Sequence, residues 1–350
     1  MDRRSFLQVV GSAAGGLAAA APAGRAAEAQ PEFKLPRRML GRTGQEVSVV
    51  GFPGLALIHG DQQAAGEGIR KAFERGVNYF DVAPAYGNGD AEIKMGIGLQ
   101  GIDRSRIFLA CKTNKRDKQG AREELERSLV RLKTDHFDLY QLHHLRTPAE
   151  TAQALGPGGA METLIEAKKE GKVKYLGFSA HTTKAALAAM RGFRFDTVMF
   201  PISFVEYFLL GFGKPVLELA GEQGAGVLAI KALSRGAWPE GAERTRKWWY
   251  RSMETPREIG LALRFVLAQK NVAAGIPPSF LDLLDKAVTA AESYTPITDE
   301  ETAELRALAA SCKSIFESEE KAVASYKPLR RTAPPDSPYE GCCGGAPLVG

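Results

Sequence analysis

Three apolar runs in the first half of the chain end in polar residues of one chemical set. Asp81 and Tyr86 lie in "YFDVAPAYGNGD", Lys112 in "RIFLACKTN" and His143 in "FDLYQLHHL". A phenol with an unperturbed pKa of ~10 is a poor acid at neutral pH. A neighbouring ammonium favours the phenolate and makes the proton easier to give away. An aspartate keeps that ammonium charged and in place, and a neutral imidazole can hydrogen-bond a carbonyl oxygen and aim it. Such a group delivers a proton to a carbonyl while another agent delivers hydride, or runs the reverse oxidation of an alcohol. Taken singly, each residue has a plain structural reading: a helix cap, a packing tyrosine, a solvated lysine, a core histidine. Their recurrence at consecutive run ends is what carries the chemistry.

These side chains need a frame that brings run ends together. Short apolar runs at 47–52, 77–81, 106–112, 137–143, 173–179, 196–202, 226–233 and 272–276 read as strands, and amphipathic stretches alternate with them. Several of those stretches stop at a glycine, as at Gly76, Gly171, Gly192 and Gly224, a helix-ending signal. Eight strands alternating with eight helices predict a parallel sheet closed into a (β/α)8 TIM barrel, whose site lies at the C-terminal strand ends. A doubly wound sheet is the runner-up, but "GFPGLAL" after the first strand lacks its glycine fingerprint. Outside the repeat lie a long insertion at 237–256, after the seventh strand, and an extra C-terminal helix at 298–313 that starts on Thr298 and Glu301.

Of the 350 residues, 44% are hydrophobic and 25% charged, ordinary values for a globular chain. The net charge of +5 is spread without a basic tract, which excludes a nucleic-acid surface. The four cysteines, Cys111, Cys312, Cys342 and Cys343, form no C-x-x-C pair, and His59, His143, His144 and His181 follow strand ends without a ligand-spacing motif, so no metal is expected. Residues 1–29 read as a signal peptide: "DRRSFLQ", then sixteen uncharged residues, then a small-x-small exit at Ala27-Glu28-Ala29. Arg3-Arg4 with Ser5-Phe6-Leu7 resembles a twin-arginine (Tat) signal, with Asp2 where Ser or Thr is usual. The apolar stretch is short of the ~20 residues that span a bilayer, so no stable membrane anchor is expected. The domain plan is therefore a Tat signal at 1–29, one barrel at 30–326 and a Pro/Gly-rich tail at 327–350. The expected destination is periplasmic or otherwise extracytoplasmic, reached through the Tat export machinery.

With these motifs in place, the chain resembles the aldo/keto reductase family over about residues 36 to 295. "FDVAPAYGNGDAEIKMG" is similar to the family's strand-two signature, "ACKTN" to its lysine strand and "FDLYQLHHL" to its histidine strand. The resemblance implies that Asp81, Tyr86, Lys112 and His143 are the catalytic tetrad, with Tyr86 as proton donor. It also implies a small-molecule carbonyl substrate (an aldehyde, ketone or sugar) and a nicotinamide cofactor, NADP(H) or NAD(H). On the cofactor side it points to Ser179, where Ala180 replaces the usual Asn, to Met199 in place of a Gln, and to Lys231 and Leu233 in the seventh strand with Ser234 and Arg235 at its end. Pro278 and Ser279 stand where many NADPH users carry Lys and Arg, which leaves the choice of cofactor open. His144, which takes a frequent Trp position, and Trp248, Trp249 and Tyr250 of the insertion are the expected substrate wall. Two rival readings are an exported dinucleotide-binding sensor or partner subunit with little turnover, and a lyase or isomerase that recycles a tightly bound cofactor.

Overall fold

The computed structural model describes residues 34–325 and Lys327. The proposed signal at 1–29 and the tail with Cys342-Cys343 lie outside the described residues. An antiparallel hairpin, β1 (Arg37–Met39) and β2 (Glu46–Ser48), comes first. Eight parallel strands follow: β3 (Phe52–Pro53), β4 (Tyr79–Asp81), β5 (Phe108–Thr113), β6 (Phe137–Leu145), β7 (Val173–Ala180), β8 (Thr197–Pro201), β9 (Gly226–Ile230) and β10 (Val272–Gly275). They are hydrogen-bonded in sequence order from β3 to β10. A parallel bridge between Val50 and Gly275 brings the two edges together, so the sheet is a closed (β/α)8 barrel.

The first apolar run, 47–52, does not form one strand. Its start pairs back on β1 as the hairpin, Val50 bridges to Gly275, and Phe52–Pro53 form the first barrel strand. Leu40 and Val47 of this hairpin pack with Tyr79, Phe108, Ala110, Leu139, Met199 and Leu228 in one buried cluster. That cluster fills the barrel, while Phe80, Leu109, Cys111, Tyr140, Leu142 and Val198 belong to the layer between strands and helices. The alternation is the period of two that a pleated strand imposes.

Several helices begin where the sequence offers a side-chain cap. Asp61 opens α1 (Gln62–Glu74) by accepting from Ala64 N–H at 2.9 Å. Then come α2 (Asp90–Gly98) and α3 (Lys118–Leu132). Two helices, α4 (Pro148–Leu155) and α5 (Ala160–Lys169), separate β6 from β7, then α6 (Thr183–Gly192) precedes β8. Two more, α7 (Phe204–Leu210) and α8 (Lys214–Gln223), separate β8 from β9. A capping box of Thr255 and Glu258 starts α9 (Pro256–Leu267), which is followed by α10 (Leu281–Glu292) after β10. The same device at Thr298 and Glu301 starts α11 (Asp299–Ala310). The sequence pattern omits α4, α7 and the last helix, α12 (Glu317–Ala324), which are only seven or eight residues long. Short helices carry too few turns for a periodic signal.

Candidate active site

Strand alternation delivers the first three side chains. Tyr79 points into the barrel and Phe80 out of it, so Asp81 points in again. Phe108 and Ala110 point in, which places Lys112 inward two residues higher. Leu139 points in, and two more inward steps reach His143. All three stand on one rim, at the C-terminal ends of neighbouring strands. Tyr86 enters from the turn after β4 and is buried.

Lys112 is the hub. Its side chain is 0% exposed, and its ammonium pairs with Asp81 Oδ1. It also donates to the Val82 carbonyl at 3.1 Å and to Tyr86 Oη at 3.2 Å. Tyr79 Oη donates to the second Asp81 oxygen at 3.3 Å. Burial pushes the Asp81 carboxyl up from its ordinary range, and the Lys112 ammonium pulls it back. The His143 ring stands edge-on to Tyr86 with centroids 5.7 Å apart. Burial, and then the charge of Lys112, hold His143 well below the usual imidazole range, so it is neutral at pH 7. Its Nδ1 has no hydrogen-bond partner among the described residues. Tyr250 also faces the cleft, but burial pushes its phenol up.

One cleft of about 50 Å3 is lined by Asp81, Tyr86 and His143 together with Ser179, Met199, Lys231, Pro278 and Ser279, and by Trp248 and Tyr250 from the insertion. Sequence reasoning placed these residues at the rim. Other expected site residues stand elsewhere. Leu233 and Ser234 are fully buried, and Arg235 pairs with Glu258 at 3.0 Å, so none of the three is on the cleft wall. His144 packs edge-on against His181 at 4.1 Å, and Trp249 packs on Tyr250 and Phe316 behind the wall. Gly54, Leu55 and His181 line the cleft without having been assigned a role from sequence. Gly54 does have a backbone reason to be glycine: a Cβ there would meet the Asp81 carbonyl at 2.2 Å.

The insertion at 237–256 forms a strap that has no helix or strand until α9 begins at Pro256. Arg246 holds it by a two-pronged bond to Asp282 in the first turn of α10, at 3.0 and 2.6 Å, and lies 4.9 Å over the Phe280 ring. Trp248, 2% exposed, packs edge-on against Phe280 and His59. The segment after α11 crosses the same end of the barrel. Buried Glu206 accepts from the Ser314 hydroxyl and from Ile315 N–H at 2.9 Å, and Arg146 pairs with Glu319 at 2.5 Å. Phe316, between these anchors, meets His181 edge-on at 5.6 Å. No sequence motif announced either anchor, because each joins residues far apart in the chain.

Two groups on the cleft wall have the chemistry to hold parts of a nicotinamide dinucleotide. The Ser179 oxygen accepts from His144 N–H at 2.7 Å, which fixes the hydroxyl and leaves its own proton for a carboxamide. Ser279 lies just before α10, whose N-cap residue Phe280 supplies no side-chain cap, and a helix N-terminus suits a phosphate. Among the described residues no group of His, Cys, Asp and Glu has the arrangement of a metal site. No described helix is long and apolar enough to cross a membrane.

Comparison with known proteins agrees with this geometry. A sequence profile of the aldo/keto reductase family matches residues 59–310. L-galactose dehydrogenase of Arabidopsis thaliana is 32% identical over 159 residues, which cover 42% of this chain and 49% of that protein. Aldo-keto reductase YhdN of Bacillus subtilis (strain 168) is 35% identical over 157 residues, 39% of this chain and 44% of its own. The chain spans about half the length of the curated relatives it matches. The holo form of aldo-keto reductase AKR11C1 from Bacillus halodurans superposes with a TM-score of 0.64 at 26% identity, covering 82% of this chain and 99% of that one.

Proposed function

Since the chain belongs to the aldo/keto reductase family, we propose that it is a nicotinamide-dependent oxidoreductase that reduces the carbonyl of an aldehyde, ketone or sugar. The observation that carries this is the Lys112 ammonium, bonded at once to Asp81, the Val82 carbonyl and Tyr86 Oη at the edge of the cleft. The nicotinamide supplies hydride when bound. Tyr86 gives its phenolic proton to the carbonyl oxygen as negative charge builds there. The Lys112 ammonium stabilises the charge left on the phenol oxygen, and Asp81 balances the ammonium while the site is at rest. Neutral His143 hydrogen-bonds the carbonyl oxygen and sets its approach. The strap and the segment around Phe316 keep water from the reacting atoms. The test is Tyr86→Phe: turnover of a simple aldehyde falls by more than about 100-fold while dinucleotide binding is kept. Unchanged turnover would remove Tyr86 from the reaction.

A second reading, an enzyme that keeps and recycles its dinucleotide, is supported by the strap, which Arg246 ties down beside the buried Trp248. Cofactor that survives gel filtration at native stoichiometry supports it, and cofactor that exchanges freely does not. We also propose that residues 1–29 direct Tat export to an extracytoplasmic space; Arg3-Arg4 and the uncharged stretch after them support this. Replacing both arginines by lysine leaves the precursor in the cytoplasmic fraction if the proposal is right.

A further inference from the structure

Strand β6 breaks its regular pairing at the catalytic rim. Its register with β7 is constant from Phe137 to Leu142 and resumes at Leu145, opposite Ala180, so His143 and His144 together face Ser179 alone. Two residues against one is a β-bulge. The extra residue is His144, whose φ of +58° lies in the left-handed region. Leu142 and Leu145, three positions apart, both pack in the outer layer, which unbroken alternation would forbid. The bulge thus lets His143 face the cleft while Leu145 stays out of it.

A bulge takes backbone groups out of the ladder, and here side chains replace the lost partners. The His144 N–H donates to Ser179 Oγ at 2.7 Å. The carbonyls of His143 and His144 both accept from Arg116 Nη2, at 2.8 and 3.2 Å. Its Nη1 donates to the Asn114 carbonyl at 3.1 Å. The backbone that carries Arg116 is itself fixed, since its carbonyl accepts from Ala160 N–H at 2.9 Å. The Thr113 hydroxyl and the Asn114 N–H both donate to Glu124 of α3, at 2.6 and 2.9 Å. One half-buried guanidinium therefore ties the loop after the Lys112 strand to the bulge that carries His143. Arg116 is not among the residues lining the cleft. His143 Nδ1 has no hydrogen-bond partner among the described residues, so the backbone, with the edge-on contact to Tyr86, must aim the ring.

We infer that Arg116 is a positioning residue of the reaction: by gripping both bulge carbonyls it fixes the His143 imidazole against Tyr86 and the substrate carbonyl. This rests on the reductase reading for the substrate, and on the bulge for the placement. The guanidinium also acts through its charge. His143 is faced by Lys112 of β5, Tyr86 and Asp81 at the end of β4, Lys231 after β9, His181 after β7, and His144 and Arg116 on its own side. Burial first, and then Lys112, His144, Arg116 and Lys231, hold the imidazole neutral. A lysine at position 116 keeps the charge but lacks the fork that bonds the Asn114 carbonyl and the bulge at the same time.

The test uses Arg116→Met and Arg116→Lys, each alone and combined with His143→Gln. It reads kcat on a simple aldehyde at saturating cofactor, and the imidazole titrations by NMR. Arg116→Met should lower kcat by about 10- to 100-fold with a smaller change in KM, because a displaced reacting group costs rate more than binding. In the His143→Gln background the same change should cost less than about 2-fold more, since its effect passes through the imidazole. The His143 signal, identified as the one lost in His143→Gln, should begin to titrate at a higher pH in Arg116→Met and stay near wild type in Arg116→Lys. Losses that multiply in the double variant, or a His143 titration that Arg116→Met leaves in place, overturn the inference. If Arg116→Met does not fold, Arg116→Lys decides: a loss that vanishes with His143→Gln supports the inference, and no loss, or one that persists with His143→Gln, overturns it. The titration needs no turnover. A His143 signal that moves in a protein reducing no aldehyde keeps the tie between Arg116 and His143 and refutes the reductase reading. Turnover that neither variant alters does the reverse.

Discussion

Lys112→Met separates the electrostatic work of the site from its packing. Methionine keeps most of the stem and removes the ammonium. At 3.2 Å, a unit charge on the Tyr86 oxygen and the Lys112 ammonium attract by about 5 kcal/mol at an effective dielectric of 20. With roughly half a charge on the phenol in the transition state, about 2.5 kcal/mol is lost, a fall in kcat of about 100-fold. Stability falls as well, because Asp81 is left buried without its cation; removing one partner of a buried pair costs about 3–5 kcal/mol. Asp81 can limit this cost by taking up a proton. Its folded pKa is already raised by burial and rises further without Lys112. A group whose folded pKa lies above its unfolded value contributes stability that is lost as pH rises through the folded pKa. The variant should therefore melt closest to wild type near pH 5 and fall further behind by pH 8. Asp81→Asn in the same chain removes the stranded charge, so the double variant regains melting temperature but not rate. The measurements are kcat on a simple aldehyde at saturating cofactor and thermal melts from pH 5 to 8. A folded Lys112→Met with kcat within about 3-fold of wild type refutes the charge argument. A melting loss independent of pH refutes the account of Asp81.

Burial first, and neighbouring charges second, hold His143, His144 and His181 well below the usual imidazole range. A depressed histidine gives stability that is present above its unfolded pKa of about 6.5 and lost as pH falls toward the folded value, by up to about 1.4 kcal/mol per pH unit for each group. His181→Gln should flatten the decline in melting temperature between pH 6.5 and 5; an unchanged slope counts against this. Arg246→Ala removes the two-pronged bond to Asp282. Stability should change by less than about 1 kcal/mol for such a partly exposed pair, while bound dinucleotide leaves several-fold faster in stopped-flow fluorescence. Glu206→Gln weakens the grip on Ser314 and Ile315. The expected loss is about 1–3 kcal/mol, with hydrogen exchange around 312–324 rising before that of the barrel strands.

Much of this molecule was legible in one dimension. The order of apolar runs and amphipathic stretches specified the barrel, since parallel strands buried on both faces must alternate with covering helices. The same runs marked their polar ends, and a period of two is enough to send Asp81, Lys112 and His143 into the barrel mouth. The first run misled, because 47–52 is mostly apolar yet splits between two pairings; its start is held by pairing with β1 and its end by the barrel, a tertiary choice. The same limit applied to the loops. Nothing local says that Arg246 will reach Asp282, that Glu206 will hold Ser314, or that Arg235 will turn away to Glu258. Lys231 shows the division most clearly. The apolar run 226–233 put it inside the seventh strand, whereas β9 ends at Ile230 and the direction of the side chain depends on its own left-handed backbone and on the strap that packs over it. Residue type and spacing determined which chemistry the chain can carry. Only the closed barrel, with distant segments folded across its mouth, decided which of those groups share a cleft, because burial and charge pairing act through space rather than along the chain.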